Sequence, residues 1–228
     1  MDSTALTLVF AAVAGYLAGS ISGARIIGRR IGAGDLTHSR VVLDGTGASV
    51  DTHGVSPSSL QARGGGNAGL PAGAIDILKA LVPVLLARLI WPDSPEHIIV
   101  AGAALVGHVY PLYHGFLGGY GISPLLGGLV IIDWRAGLVA IAVFALLGLL
   151  VGSAYLAIES WPIALLPWFA WQGDGWMIFY AVLANALYWW RSRDEALGAL
   201  RSFRVDTRPW RMRVADFKHY PDFEVPDR

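Results

Sequence analysis

Apolar residues occur along this chain in long blocks rather than in alternating or heptad patterns, and short polar stretches separate the blocks. The first block, TALTLVFAAVAGYLAGSISGA, runs from Thr4 to Ala24 and gives way to Arg25, Arg29 and Arg30. A polar stretch rich in Gly, Ser, Thr and Asp extends from about Gly32 to Gly66, and AGLPAGAIDILKALVPVLLARLIW follows. After the turn WPDSPEH come a shorter block, IIVAGAALVGHVY, and a glycine loop, FLGGYGISP, over residues 116–124. From Pro124 the apolar pattern continues to Trp134, resumes from Arg135 to Ile158, and recurs in WPIALLPWFAW and in WMIFYAVLANALYWW. Uninterrupted apolar runs of roughly 20 residues match the thickness of a bilayer, whereas shorter runs suit tilted or half-crossing helices. The pattern predicts an all-α, polytopic membrane helical bundle of about seven transmembrane or half-membrane segments over residues 1–190. It places loops at about 32–66 and 112–123 on one side of the membrane and a polar tail at 191–228.

Composition strengthens that reading. Of 228 residues, 54% are hydrophobic and only 15% charged, and the mean hydropathy is +0.51, too apolar for a soluble domain of this size. Trp91, Trp134, Trp161, Trp171, Trp176, Trp189 and Trp190 fall near the expected interfaces, as an aromatic belt requires, although single members can equally be core packing. No cysteine is present, which removes disulfides, zinc-thiolate sites and thiol nucleophiles. The three arginines after the first block put that end of the span in the cytoplasm and the N-terminus outside. The tail carries nine of the seventeen Lys and Arg and seven of the seventeen acids, a balanced polar extension.

Several polar residues interrupt the apolar blocks. Asp76 and Lys79 are three residues apart, hence on one helix face, where they can pair in a polar interior or snorkel to the boundary. His108 lies shortly before Pro111 and beside the glycine loop, placed to act as a general base or as a buried hydrogen-bonding residue; His114 reads as interfacial. Ser20 can donate a hydrogen bond at the end of the first span, while its neighbouring glycines suit close helix packing. Gly118, Gly119 and Gly121 form a loop able to direct backbone N–H groups at an anion, yet Tyr120 stands where a cationic side chain is the usual companion. Neither a nucleophile–base–acid triad nor metal-ligand spacing is evident, so no metal, cofactor or nucleic acid is expected.

The order of these motifs resembles the bacterial integral-membrane glycerol-3-phosphate acyltransferases that use acyl phosphate as donor. Their GSIPxG pattern is matched by Gly19-Ser20-Ile21-Ser22-Gly23, and their DxxKGxxP by the segment from Asp76 to Pro83, with Ala80 in place of Gly. Their GHxxPxxxxFkGGKG is followed closely by GHVYPLYHGFLGGYG from Gly107 to Gly121. GGGNAG from Gly64 looks like the family's GSGNxG, but Asn67 is too near Asp76. Ungapped placement instead sets GVSPSSLQARGG, from Gly54, opposite the GATN segment, with Ser58 and Ser59 at the Thr-Asn positions and Arg63 at the arginine. The family's TRYVSLSS becomes SAYLAIES, keeping Tyr155 and Ser160, and its RHRxNI becomes the segment Arg191 to Ala196, keeping Arg191 and Arg193.

The resemblance implies transfer of an acyl group from acyl phosphate to the 1-hydroxyl of glycerol 3-phosphate, giving lysophosphatidic acid, with membrane lipids as surroundings. It implies His108, Ser58 and Ser59 as catalytic groups. Gly118, Gly119, Tyr120, Gly121, Lys79, Arg63, Arg191 and Arg193 would bind phosphate, supported by Ser20, Asp76 and Tyr155. Tyr120 substitutes a neutral phenol for an ion-assisted bond of roughly twice the strength, so a weaker phosphate site is expected there unless an arginine moves in. A non-catalytic or altered-substrate lipid-binding relative is the alternative; a transporter with broken helices explains the short segments but not the motif order.

Overall fold

The computed structural model describes residues 3–42, 49–64, 67–216 and 223–224. In chain order the elements are α1 (Ser3–Gly19), α2 (Gly23–Ile31), β1 (Ser39–Val42), β2 (Ser49–Thr52), α3 (Pro57–Gly64), α4 (Gly69–Ile90) and α5 (Glu96–Val109). They continue with α6 (Ile122–Val151), α7 (Ala154–Ser160), α8 (Leu165–Gln172), α9 (Gly175–Val205), α10 (Trp210–Asp216) and β3 (Phe223–Glu224). Three stretches, Thr4–Ile31, Gly69–Ile90 and Ile122–Val151, are long and apolar enough to cross a membrane. Large apolar side chains such as Phe10, Leu86, Leu89, Leu138 and Ile141 point outward from them, as lipid-facing helices require.

α1 and α5 lie side by side and run in the same direction, with Gly15 facing Val100 and Gly19 facing Ala104. The contact is backbone to backbone: a Cβ at Gly19 would sit 2.2 Å from Ala104 O, and one at Gly107 would sit 2.2 Å from Tyr16 O. Where lipid removes the hydrophobic drive between helices, such close approach through small residues supplies the packing. The main core gathers Val84, Leu105, Leu129, Leu165, Phe169 and Tyr180 from five helices. A smaller cluster of Ala24, Leu36, Val55, Leu60 and Ala72 joins α2, the following loop, α3 and the start of α4.

α6 is two helices meeting at Asp133, whose φ of −160° and ψ of 97° leave the helical region. The Asp133 carboxylate accepts from Trp168 Nε1 at 2.9 Å, Gln172 Nε2 at 2.8 Å and Arg135 N at 3.1 Å, so the break is held by α8. The second half then returns to the end of the bundle where the first began: Leu149 O and Leu150 O accept from Trp210 Nε1 at its far end. This is the out-and-back path that the sequence IIDWRAG suggests. Asp174 opens α9 by accepting from Trp176 N and Met177 N, a side-chain cap for otherwise unsatisfied donors.

Two stretches hold more regular structure than the apolar pattern predicts. Within the polar stretch 32–66 the described residues include strands, with β1 paired antiparallel to β2 and to β3 in the order β2-β1-β3, and α3 follows. SRVV and SVDT hold β-branched residues suited to strands, while Ser56 and Ser59 close the start of α3 reciprocally through Ser59 N to Ser56 Oγ (3.1 Å) and Ser56 N to Ser59 Oγ (3.0 Å). The boundary at 191 also falls inside a helix, because α9 continues to Val205. Ser192, Glu195, Ala196, Ala199 and Ser202 are buried along it, a stripe at helical spacing that holds the polar segment in place.

Replacing Gly107 by valine is expected to push α1 away from α5 and lower the thermal midpoint of the detergent-solubilised protein, an overpacking penalty of about 1–3 kcal/mol or more. Fluorescence-detected size exclusion after heating checks this; an unchanged midpoint contradicts the backbone contact.

Candidate active site

The break between α1 and α2 lies against the third turn of α4 and the last turn of α5, and polar groups from all of them converge there. Lys79 Nζ is 2.8 Å from Asp76 Oδ1, 2.7 Å from His108 Nδ1 and 2.5 Å from Ile21 O. Asp76 Oδ1 also accepts from Gly23 N at 3.0 Å, at the start of α2. All three side chains are buried. A neutral amine at Lys79 would leave the Asp76 carboxylate uncompensated in the interior, so the ammonium form is assigned. Its three N–H donors are then all committed, His108 Nδ1 is an acceptor, and Nε2 carries the imidazole proton. His108 thus presents an N–H rather than a lone pair, and Lys79 has no donor left for a substrate.

The glycine loop packs onto this cluster. A Cβ at Gly119 would sit 2.4 Å from His108 Nε2 and 2.8 Å from Val55 O, so only glycine fits under the imidazole edge. The loop is tied down by its own backbone: Gly119 N donates to His108 O (3.2 Å), and Gly118 O accepts from Val55 N (3.1 Å). Gly121, with φ of 92°, then leads into α6. Ser20 Oγ donates to Tyr16 O (2.9 Å) and accepts from Leu112 N (3.2 Å), joining the end of α1 to the segment before the loop.

Tyr120 turns away from Lys79 toward α9. Its ring lies on Gly54, and its hydroxyl donates to Glu195 Oε1 at 2.5 Å. Burial, reinforced by the Glu195 and Glu159 charges, holds the phenol well above its ordinary range, so it remains a neutral donor. Arg191 moves in as well: its guanidinium stands 5.8 Å from the Tyr120 ring centroid, and Nη2 donates to His53 O (2.6 Å) and Gly118 O (3.4 Å). Arg193, by contrast, is exposed, stacks on Trp190 at 4.7 Å and lies 3.8 Å from Asp194.

Free cationic donors lie on the other flank. Arg25 Nη1 and Arg63 Nε are buried without a hydrogen-bond partner. Arg63 Nη2 donates to His38 O at 2.5 Å; Arg29 and Asp35 are the charged neighbours of Arg25. His114 is held below the usual imidazole range by partial burial and then by Arg25, Arg29 and Lys79, so it stays neutral beside them. Ser59 is buried and engaged in the α3 cap, its hydroxyl donating to Ser56 O, while Ser58 is half-buried beside it. Tyr155 falls in α7, and its side chain lies outside the described residues. Of the residues singled out from sequence, Lys79, Asp76, His108, Ser20 and the loop glycines come together.

A family model described as glycerol-3-phosphate acyltransferase matches residues 9–201. The chain belongs to the glycerol-3-phosphate acyltransferase family. Curated relatives of that name include one from Thioalkalivibrio sulfidiphilus, 34% identical over 55% of this chain and 63% of its own length. Another, from an Anaeromyxobacter species, is 36% identical over 60% of this chain and 64% of its own. The chain thus spans just under two thirds of the length of these relatives. The crystal structure of PlsY (YgiH), an integral membrane glycerol 3-phosphate acyltransferase in its glycerol 3-phosphate form, superposes with a TM-score of 0.71 at 25% identity. It covers 89% of this chain and 96% of that one, so the helical membrane fold is shared nearly end to end.

Four polar positions at the site, Arg25, Glu159, Ser192 and Glu195, were not singled out from the sequence as site residues. Arg25 was legible only as a topology signal, although it follows GSISGA directly. Glu159, Ser192 and Glu195 carried one signal, an acid inside the apolar segment SAYLAIES and a Tyr188, Ser192, Glu195 spacing that repeats on one helical face.

Lys79→Met is expected to lower stability by about 3–5 kcal/mol, since it strands the buried Asp76 charge, and adding Asp76→Asn is expected to recover part of that loss. Thermal unfolding of the single and double variants checks it; a double variant no more stable than Lys79→Met contradicts the assignment.

Proposed function

We propose that the chain transfers an acyl group from acyl phosphate to the 1-hydroxyl of glycerol 3-phosphate, releasing lysophosphatidic acid and inorganic phosphate. The single observation that carries this reading is the near-complete superposition on an enzyme whose structures are described in glycerol 3-phosphate and lysophosphatidic acid forms. The orphaned guanidinium donors of Arg25 and Arg63 support it, because buried donors without partners suit a bound anion.

In this reading Arg25 and Arg63 hold the phosphate of the acceptor, and the His108 Nε2–H and the loop hold the acyl phosphate in position. The 1-hydroxyl oxygen bonds to the acyl carbonyl carbon, the bond from that carbon to the phosphate oxygen breaks, and the departing phosphate takes the hydroxyl proton. An acyl phosphate is already activated, so positioning and charge compensation suffice and no protein nucleophile is needed. The N-terminus lies outside and the C-terminus in the cytoplasm, which puts Arg25, Arg29 and Arg30 on the cytoplasmic side with the water-soluble acceptor.

The test supplies the purified protein in detergent or liposomes with an acyl phosphate and a panel of phosphorylated and unphosphorylated acceptors. Lysophosphatidate from glycerol 3-phosphate is the expected product; product only from another acceptor, or none where a relative turns over, contradicts the reading. Arg25→Ala and Arg63→Ala are each expected to raise KM for glycerol 3-phosphate by roughly tenfold or more, the value of a lost charge-assisted bond. Initial rates over a range of acceptor concentrations check it.

A further inference from the structure

α9 is longer than a bilayer core requires. Its 31 residues extend about 46 Å, whereas the hydrocarbon takes roughly 30 Å and the headgroup layers bring the total to about 40–45 Å. Counted from Gly175, the hydrocarbon is used up after about 20 residues, near Asp194, and the turns beyond it run through the headgroup layer. One face of the helix stays outward along this whole length. Phe179, Val182, Trp189 and Trp190 are exposed in the apolar half, and at the same helical spacing Arg193, Leu197, Leu200, Arg201 and Arg204 are exposed beyond it. The other face is buried at Ser192, Glu195, Ala199 and Ser202. From that side Glu195 accepts from Tyr120, and Arg191 donates to His53 O and Gly118 O. The clamp on the glycine loop and the outward face are therefore two sides of one helix.

The outward face suits a lipid surface rather than water. Leu197 and Leu200 are exposed among the arginines, the mix of apolar and cationic side chains that an interfacial helix carries and a fully solvated face does not. Arg193 stacks on Trp190 at 4.7 Å and lies 3.8 Å from Asp194, while Arg201 and Arg204 have no ion-pair partner among the described residues. Arg193, Arg201 and Arg204 against Asp194 alone leave this face positive. α10 lies at the same end of the bundle, where Trp210 Nε1 donates to Leu149 O and Leu150 O, and Arg211 and Met212 are exposed beside it. Leu146, Leu149 and Leu150 of α6 point outward there too, so the basic face continues a lipid-facing surface already formed by two helices. We propose that Arg193, Arg201 and Arg204, with Leu197 and Leu200, bind anionic phospholipid in the leaflet next to the glycine loop. The guanidinium forks take the phosphates, and the leucines enter between the headgroups.

The full-length protein, reconstituted in phosphatidylcholine membranes, is probed with trace spin-labelled phosphatidylglycerol or phosphatidylcholine, and electron paramagnetic resonance reads the fraction of each held at the protein surface. Phosphatidylglycerol is expected to associate about fivefold more strongly, the value of one arginine near an anionic surface, and salt is expected to weaken the preference. The double variant Arg201→Gln/Arg204→Gln is expected to lose most of it, with monodispersity on size exclusion verifying the fold. Equal association of the two lipids with the unmodified protein overturns the proposal. A preference undiminished in the folded double variant also overturns it, since Arg25, Arg29 and Arg30 would then carry the selectivity. So does an unmodified protein that is dimeric and becomes monomeric in the double variant, which assigns the face to a second copy. Acyl transfer plays no part in this readout, so loss of the lipid site and loss of the activity are separable.

Discussion

The Lys79 ammonium is closed off from water where four parts of the chain meet, and the site is organised around it. Asp76 on the same helix supplies the opposite charge, the carbonyl of Ile21 marks the break between α1 and α2, and His108 reaches in from α5. A buried ion pair is a poor source of net stability, because desolvation offsets most of the attraction, but it penalises any arrangement that leaves one charge alone. The penalty fixes the register of α4 against α5 and holds the start of α2 through Gly23 N. The glycine loop inherits that geometry, since Gly119 rests directly on the His108 ring.

From this hub the site divides into two electrostatic flanks. Arg25 and Arg63 bring buried, unpartnered donors on one side, and on the other Glu159 Oε2 and Ser192 Oγ are buried without partners next to Glu195, which accepts from Tyr120. Tyr120 belongs to the acidic flank: its hydroxyl is committed to Glu195, and Arg191 has become a clamp on loop carbonyls. Tyr120, Ser192 and Glu195 thus share a flank that carries buried carboxylates where the other flank carries guanidiniums.

The membrane character of the chain and most of its helices were legible because bilayer thickness imposes one run length on every crossing segment. The break at Asp133 was legible for a related reason, since a charged residue followed by Trp and Arg interrupts an otherwise apolar block. The strands within 32–66 were hidden because four-residue strands leave little periodic signal among glycines and serines. The continuation of α9 past Arg191 was hidden because the buried stripe there is built from Ser, Glu and Ala rather than large apolar residues. Within the site, the Asp76 and Lys79 pairing followed from their spacing, and the glycine loop from its motif. Which cations face a substrate did not follow, because Lys79, Arg191 and Arg25 differ in partners rather than in residue type.

Lys79 acts as an internal structural cation, which makes His108 a hydrogen-bond donor through Nε2. Nuclear magnetic resonance of the protein with 15N-labelled histidine rings reads this tautomer directly, with His108→Gln identifying the signal. A neutral ring with Nε2 protonated and Nδ1 accepting, unchanged when glycerol 3-phosphate is added, is the predicted result. A ring protonated at Nδ1 contradicts the account, because Lys79 would then no longer donate to it.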